Sequence, residues 1–317
     1  MRRALATLAA ALACALAGCG GGGSGPQQRL TIAIDFTPNA VHAPIYAAVR
    51  EHLDRGHGVR LAIRGPGTSP DSLKLLLAGK ADLAVLDIQD LGLARERGAD
   101  VVGVGALVNR PLAAIIAAPE VSRPRDLEGR RVGVSGLPSD PAVLRPVIQH
   151  DGGDFRKLHL ITIGFNAVPN LIQHKVAAVP AFWSVEGVLL RRRGFHPREF
   201  RLDDYGAPRW PEVVLVTKRR TLARRRTAIE GAVAAIAGGT RSVLDDPGPA
   251  VDQVAKAANA DKGLIAAQLD ALRPVLNPSL RFDRAQLDAW SRFVARFGIL
   301  KRRPDVARTF ALDVPKP

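Results

Sequence analysis

Asp35, Phe36, Asn39, His42 and Tyr46 stand together directly after an apolar run, in the segment Asp35-Phe36-Thr37-Pro38-Asn39-Ala40-Val41-His42-Ala43-Pro44-Ile45-Tyr46 that opens a helical pattern. A carboxylate there accepts N–H groups, an amide presents a donor beside an acceptor, and an imidazole can bond a polar ligand, titrate or serve as a base. Flat rings stack on planar ligands, at roughly 0.5–1.5 kcal/mol per pair beyond burial. The same residue types recur at Asn166, at Trp183 and Glu186, and at Tyr205. This is chemistry for holding a small, flat, polar molecule, and no residue is assigned a catalytic role. Each residue also has a structural alternative. Asp35 and Asn39 are preferred helix caps, Tyr46 falls one turn into a helix where it would pack in a core, Trp183 fits a lobe interface, and His42 is one of 7 scattered histidines.

Other chemistries find little support. No cluster of His, Cys and carboxylates has metal-ligand spacing, and no cofactor is expected. The loop Gly65-Pro66-Gly67-Thr68-Ser69-Pro70 precedes a helix start at Asp71 and could hold a polar or anionic group, but it has no Gly-Lys-Ser/Thr ending to make a phosphate loop. Gly103-x-Gly105 and the Gly133 to Gly136 turn read as turn chemistry rather than a dinucleotide motif. The formal charge of +15, or +13 without Arg2 and Arg3, raises the question of nucleic acid. Against it, the basic triplets at Arg191-Arg193, Lys218-Arg220, Arg224-Arg226 and Lys301-Arg303 are dispersed, aromatic residues are few, and no zinc-finger or RNA-binding pattern accompanies them. Attraction to an anionic envelope surface, or solubility, accounts for the charge.

The elements that must position these side chains alternate between short apolar runs and helical patterns, the mark of an α/β fold with helices on both faces of a sheet. Strands are expected at Leu30-Ile34, Val59-Ile63, Ala84-Leu86, Val101-Leu107, Ala113-Ala117, Arg131-Val134, Leu158-Ile163, Val176-Pro180 and Glu212-Thr217. From Thr221 onward only helices are expected, with stripes Ile265, Leu269, Leu272, Leu276 and Leu287, Trp290, Val294, Phe297. Length favours two lobes. Pro119 to Gly129 reads as the first crossing and Pro208-Pro211 as the second. The expected division is a discontinuous lobe I of residues 29–115 and 213–317, a lobe II of 116–212, and a ligand cleft between them at the carboxyl ends of the strands.

The beginning of the chain reads as an export signal over residues 1–18. Arg2 and Arg3 precede an apolar run from Ala4 to Ala17, which is shorter than the roughly 20 residues a membrane-spanning helix needs. It closes on Leu16-Ala17-Gly18-Cys19, where Cys19 looks like the lipid-bearing cysteine of a bacterial lipobox. Residues 19–28 then form a Gly-rich tether. Cys14 would leave with the signal, so the mature chain is expected to have no disulfide. About 300 residues bury enough apolar surface to do without one.

The opening motif resembles the D-W-x-P-N-x-x-H-x-x-x-Y segment of the NMT1/THI5-like family. Four further stretches resemble that family in its own order: Gly79-Lys80-Ala81-Asp82 with Leu107-Val108-Asn109-Arg110-Pro111-Leu112; Gly164-Phe165-Asn166; Phe182-Trp183-Ser184-Val185-Glu186-Gly187-Val188; and Asp203-Asp204-Tyr205-Gly206-Ala207-Pro208 running into Val213-Thr217. The resemblance implies a type II periplasmic-binding-protein fold. Its bacterial lipoprotein members bind thiamine pyrimidines, such as formylaminopyrimidine or hydroxymethylpyrimidine, for an ABC permease. It further implies a monomer held to the membrane by its N-terminal lipid, facing the periplasm or exterior. A 4-aminopyrimidine shows the donor-beside-acceptor edge of adenine, which Asn39 or Asn166 could meet. Asp35 and Glu186 would accept its N–H groups, and Phe36, Tyr46, Trp183 and Tyr205 would stack on it.

Two positions depart from the family. Phe36 stands where a larger aromatic is more usual, and His174-Lys175-Val176-Ala177-Ala178 replaces a Gly-Lys-Val-Asp-Ala pattern, losing an acid. Sulfonate, nitrate or taurine-like anions are the alternative ligands on this fold, and Asp35 with Glu186 disfavours them. Eukaryotic family members synthesise the pyrimidine from pyridoxal phosphate and a histidine of their own chain. That resembles a case needing a lysine near the first motif and an iron-binding cysteine cluster, whereas the first lysine here is Lys74.

Overall fold

The computed structural model describes residues 27–65, 72–137 and 139–314. The expected export signal, Cys19, most of the tether, and the Gly65–Pro70 loop beyond Gly65 with the helix start at Asp71 lie outside the described residues.

Among the described residues ten strands form two five-stranded mixed sheets, each with helices around it. The first has the order β2-β1-β3-β10-β4, made of β1 (Gln28–Ala33), β2 (Val59–Arg64), β3 (Leu83–Asp87), β4 (Val101–Ala106) and β10 (Val213–Lys218). The second has the order β7-β6-β8-β5-β9, made of β5 (Ala113–Ala117), β6 (Arg131–Val134), β7 (His159–Thr162), β8 (Ala178–Phe182) and β9 (Arg198–Arg201). In the first sheet β1 runs parallel to β2 and β3, while β10 runs antiparallel to β3 and β4. In the second, β6 runs parallel to β7 and β8, while β5 runs antiparallel to β8 and β9. The interior strands β5 and β10 and the edge strand β4 are buried along their whole length, in keeping with their runs of Val, Ile and Ala.

The expected strands are all present, with ends displaced by no more than two residues. β9 was not anticipated, because Arg198-Glu199-Phe200-Arg201 has a single apolar residue. Only Phe200 is buried there, and Glu199 pairs with Arg191 and Arg201 on a sheet edge. β8 keeps a proline at position 180. Its pairing with β6 is confined to Val132 opposite Ala178, so the missing N–H of Pro180 falls beyond that ladder.

The chain passes from the first sheet to the second between Ala106 and Ala113, and returns between Arg201 and Val213 through Pro208–Pro211. The polar stretch Pro119–Gly129, expected at the first crossing, instead connects β5 to β6 within the second sheet. Pro124 at its start and the Asp126 side chain, which accepts the Arg123 N–H, make a tight 3-10 turn rather than a linker between sheets.

After β10 the chain is helical, over Arg226–Asp245, Gly248–Ala258, Lys262–Leu272 and Arg284–Arg296. Ile265, Leu269, Leu272, Leu287, Trp290 and Val294 of the expected stripes are buried, while Leu276 lies just past its helix and pairs with Val108. The long helix Arg226–Asp245 lies against Ala43–Arg50 at Gly239, where a Cβ would run into the Pro44 carbonyl.

Candidate functional site

A cavity of about 710 Å³ lies between the two sheets. Its walls include the segments leaving the carboxyl ends of β1, β3, β6, β7 and β8, where parallel strands deliver loops and helix starts to one place, together with the helix Ser72–Leu77.

The segment after β1 contributes Asp35, Phe36, Asn39 and His42. Asn39 caps the short turn Ala40–His42. Its Oδ1 accepts the Val41 N–H at 2.9 Å and its Nδ2 donates to the Thr37 carbonyl at 3.0 Å. The backbone N–H of Asn39 donates in turn to His42 Nδ1 at 3.3 Å. With Nδ1 accepting, the neutral ring carries its proton on Nε2, which donates to Asp35 Oδ1 at 2.8 Å. Both ring nitrogens are thus occupied, and the buried imidazole orients the Asp35 carboxylate at the cavity wall.

The second sheet contributes Phe165 after β7, Phe182 at the end of β8, and Glu186 in the wide turn Trp183–Gly187 that follows it. Phe36 and Phe165 meet edge to face across the cleft, with centroids 4.9 Å apart. Glu186 Oε2 accepts the Phe182 N–H at 3.1 Å, and burial pushes its carboxyl above the usual range.

Four expected residues stand outside the cavity lining. Tyr46 is buried in the helix Ala43–Arg50. Asn166 is exposed, with its Nδ2 donating to the Ile163 carbonyl at 3.1 Å, and its neighbour Phe165 reaches the cavity in its place. Trp183 donates from Nε1 to the Pro111 carbonyl at 3.2 Å and lies under the Arg201 guanidinium, so its ring ties the first passage to β9. Tyr205 packs edge-on against His150 and Phe200.

The largest contribution missed from the sequence comes after β3. Asp87 caps the helix Ile88–Glu96 by accepting the Gln89 N–H at 2.7 Å, and Asp87, Gln89 and Asp90 all line the cavity. The signal was present, since Asp87-Ile88-Gln89-Asp90 repeats the strand-end acid of Asp35 at the next parallel strand. Burial, with Asp35 and Asp140 nearby, pushes Asp90 up to about 6 against a hydrogen bond from Ser139 that lowers it. Asp87 is raised well above the carboxylate range by burial and by Glu212, and Glu212 itself is pushed up to about 7, chiefly by burial. Among the described residues no group of three His, Cys, Asp or Glu could hold a metal ion. The walls carry carboxyl groups from both sheets, the rings of Phe36, Phe165 and Phe182, the amides Asn39 and Gln89, and the basic residues Lys74 and Arg97.

A family model described as NMT1/THI5 like matches residues 39–250, well over half of the chain. The formylaminopyrimidine-binding protein of Halalkalibacterium halodurans is 29% identical over 193 residues, which span 60% of this chain and 58% of that protein. A 4-amino-5-hydroxymethyl-2-methylpyrimidine phosphate synthase of Uromyces fabae is 25% identical over 112 residues, 34% of this chain and 33% of that one. Among solved structures, the periplasmic aliphatic sulphonate binding protein SsuA of Escherichia coli superposes with a TM-score of 0.71 at 17% identity, covering 89% of this chain and 97% of that one. The likeness establishes the periplasmic-binding-protein fold expected from the sequence.

Proposed function

This chain belongs to the NMT1/THI5-like family, and we propose that it is the solute-binding component of an ABC importer, capturing a thiamine pyrimidine precursor of the formylaminopyrimidine or hydroxymethylpyrimidine class between its two sheets. The observation that carries this reading is that Asp35 and Glu186, from different sheets, line one cavity together with Phe36, Phe165 and Phe182. Carboxylates accept the N–H groups of an aminopyrimidine, and the phenylalanines receive its faces. The relation to a formylaminopyrimidine-binding protein supports the same ligand class.

In this mechanism the two sheets belong to two lobes that open and close about the paired passages, and the ligand draws them together because only the closed form contacts it from both sides. The closed form then docks on a membrane permease. The lipobox-like sequence Leu16-Ala17-Gly18-Cys19 supports attachment through a lipid on Cys19, with the binding lobes outside the cell membrane.

An anion such as an alkanesulfonate is the competing ligand on this fold, and carboxyl groups lining the cavity oppose it. Pyrimidine synthesis is the competing activity. The match to a synthase is shorter than that to the binding protein, and His42 has both ring nitrogens engaged. Calorimetric titration of the purified protein with formylaminopyrimidine, hydroxymethylpyrimidine, thiamine and an alkanesulfonate tests the assignment. Saturable heat from a pyrimidine supports it; heat from the sulfonate alone overturns it.

A further inference from the structure

Resting on the reading of the cavity as a pyrimidine site, we infer that Gln89 is a specificity-determining ligand contact, whose Nε2 donates to a neutral acceptor, a ring nitrogen or a carbonyl carried on the ring, and that Trp290 is the positioning residue that turns its amide that way.

Gln89 lines the cavity and is 2% exposed. Its Oε1 accepts the Trp290 indole N–H at 3.0 Å. An indole nitrogen only donates, so the carbonyl end of the amide must face Trp290 and the other end is the donor. Trp290 has no place in the cavity lining, so the carbonyl is engaged behind the wall and Nε2 is the polar end that remains. Among the described residues that buried Nε2 has no partner. Buried donors are rarely left so, and a ligand with an acceptor against this part of the wall supplies the missing bond.

The amide is held from several directions. Asp87 accepts the Gln89 backbone N–H at 2.7 Å and so fixes the first turn of the helix Ile88–Glu96. Trp290 is fully buried and stands edge-on to Phe310, with ring centroids 5.7 Å apart. It also closes on Gly92 of the same helix, where a Cβ would lie 3.2 Å from the indole. The indole cannot swing away without opening this packing, so the donor is set before a ligand arrives and little ordering remains to be done on binding. A fixed, buried donor discriminates by what it loses. A ligand without an acceptor at that point leaves the N–H unpaired and is rejected.

The test is a cycle of paired changes in this side chain and in the ligand's acceptors. Formylaminopyrimidine, hydroxymethylpyrimidine and the two analogues of hydroxymethylpyrimidine with C–H in place of one ring nitrogen are titrated calorimetrically into the unaltered protein and into Gln89→Met, which keeps the bulk and removes the donor. In the unaltered protein, loss of the acceptor that meets Nε2 should weaken binding at least about tenfold. Gln89→Met should weaken the ligands that have this acceptor by the same factor and erase the penalty for lacking it. Erasure of the difference between formylaminopyrimidine and hydroxymethylpyrimidine assigns the contact to the carbonyl, and erasure for one ring analogue assigns it to that nitrogen. Trp290→Phe should shrink the same penalty by at least about threefold; an undiminished penalty removes Trp290 from the positioning role. Equal weakening of every ligand by Gln89→Met, or none, overturns the contact and leaves the pyrimidine function standing. Silence from both pyrimidines in the unaltered protein overturns the pyrimidine function and the contact together. If either variant does not fold, nuclear magnetic resonance of the labelled unaltered protein decides. A Gln89 amide proton moving downfield on saturation with ligand, while the Trp290 indole proton holds its position, is expected; an unmoved amide proton overturns the inference.

Discussion

Glu212 Oε2 accepts the backbone N–H of Leu112 at 3.1 Å, joining the returning passage between the sheets to the outgoing one. The Glu212 carbonyl accepts the Ile88 N–H at 2.8 Å, so the same residue also holds the helix start that carries Asp90. One buried residue, through its side chain and its carbonyl, thereby ties both connections to a wall of the cavity.

This junction predicts a pH dependence of stability. Glu212 is pushed up to about 7 and Asp87 is raised in the same direction, so the folded chain keeps protons that the unfolded chain releases. The stabilisation is complete below the ordinary glutamate value of 4.5 and is lost as pH rises through about 7. Thermal unfolding should give a Tm that falls between about pH 5 and pH 8, and Glu212→Gln should flatten that fall. A Tm insensitive to pH in the unaltered protein would show that the pair carries no such proton.

Glu186→Gln should weaken pyrimidine binding by more than about tenfold, or about 1.4 kcal/mol, because it replaces half of the carboxylate's accepting capacity with a donor. Tyr205→Phe, outside the cavity lining, should leave affinity unchanged. Calorimetry on both variants checks the contrast, and equal losses would argue for a global effect.

Asn39→Ala should act first on folding. Its amide is engaged by Val41 and Thr37, and loss of an N-cap costs about 1 kcal/mol, readable as a lower denaturation midpoint. A loss of affinity with no change in that midpoint would return Asn39 to direct ligand contact.

Phe165→Ala removes the edge-to-face contact with Phe36 across the cleft. Such pairs contribute roughly 0.5–1.5 kcal/mol, so ligand dissociation measured by stopped flow should quicken by roughly two- to tenfold. An unchanged rate would show that the two rings part before the ligand leaves.

Much of this architecture was legible because strands buried on both faces read as unbroken apolar runs, as Val213–Lys218 does although it runs antiparallel to both neighbours. β9 was not, since an edge strand held by Phe200 and ion pairs leaves no periodic trace. At the site, the Asp35 to His42 turn was readable from local spacing. Trp183 and Tyr205 stand outside the cavity lining, because a motif fixes where a residue sits in the chain and leaves the direction of its side chain to tertiary packing. Asp90 and Gln89 escaped because their meaning depends on Ser139 and Trp290, residues far away in sequence.

The contact of Gly239 with Pro44 couples the long helix Arg226–Asp245, which contributes no residue to the cavity lining, to the segment that carries Asp35. Ala43–Arg50 continues directly from the turn that orients Asp35, so a methyl group at position 239 would press on the helix that this cavity-lining turn leads into. Selection for a particular ligand can therefore reach residues that never touch it.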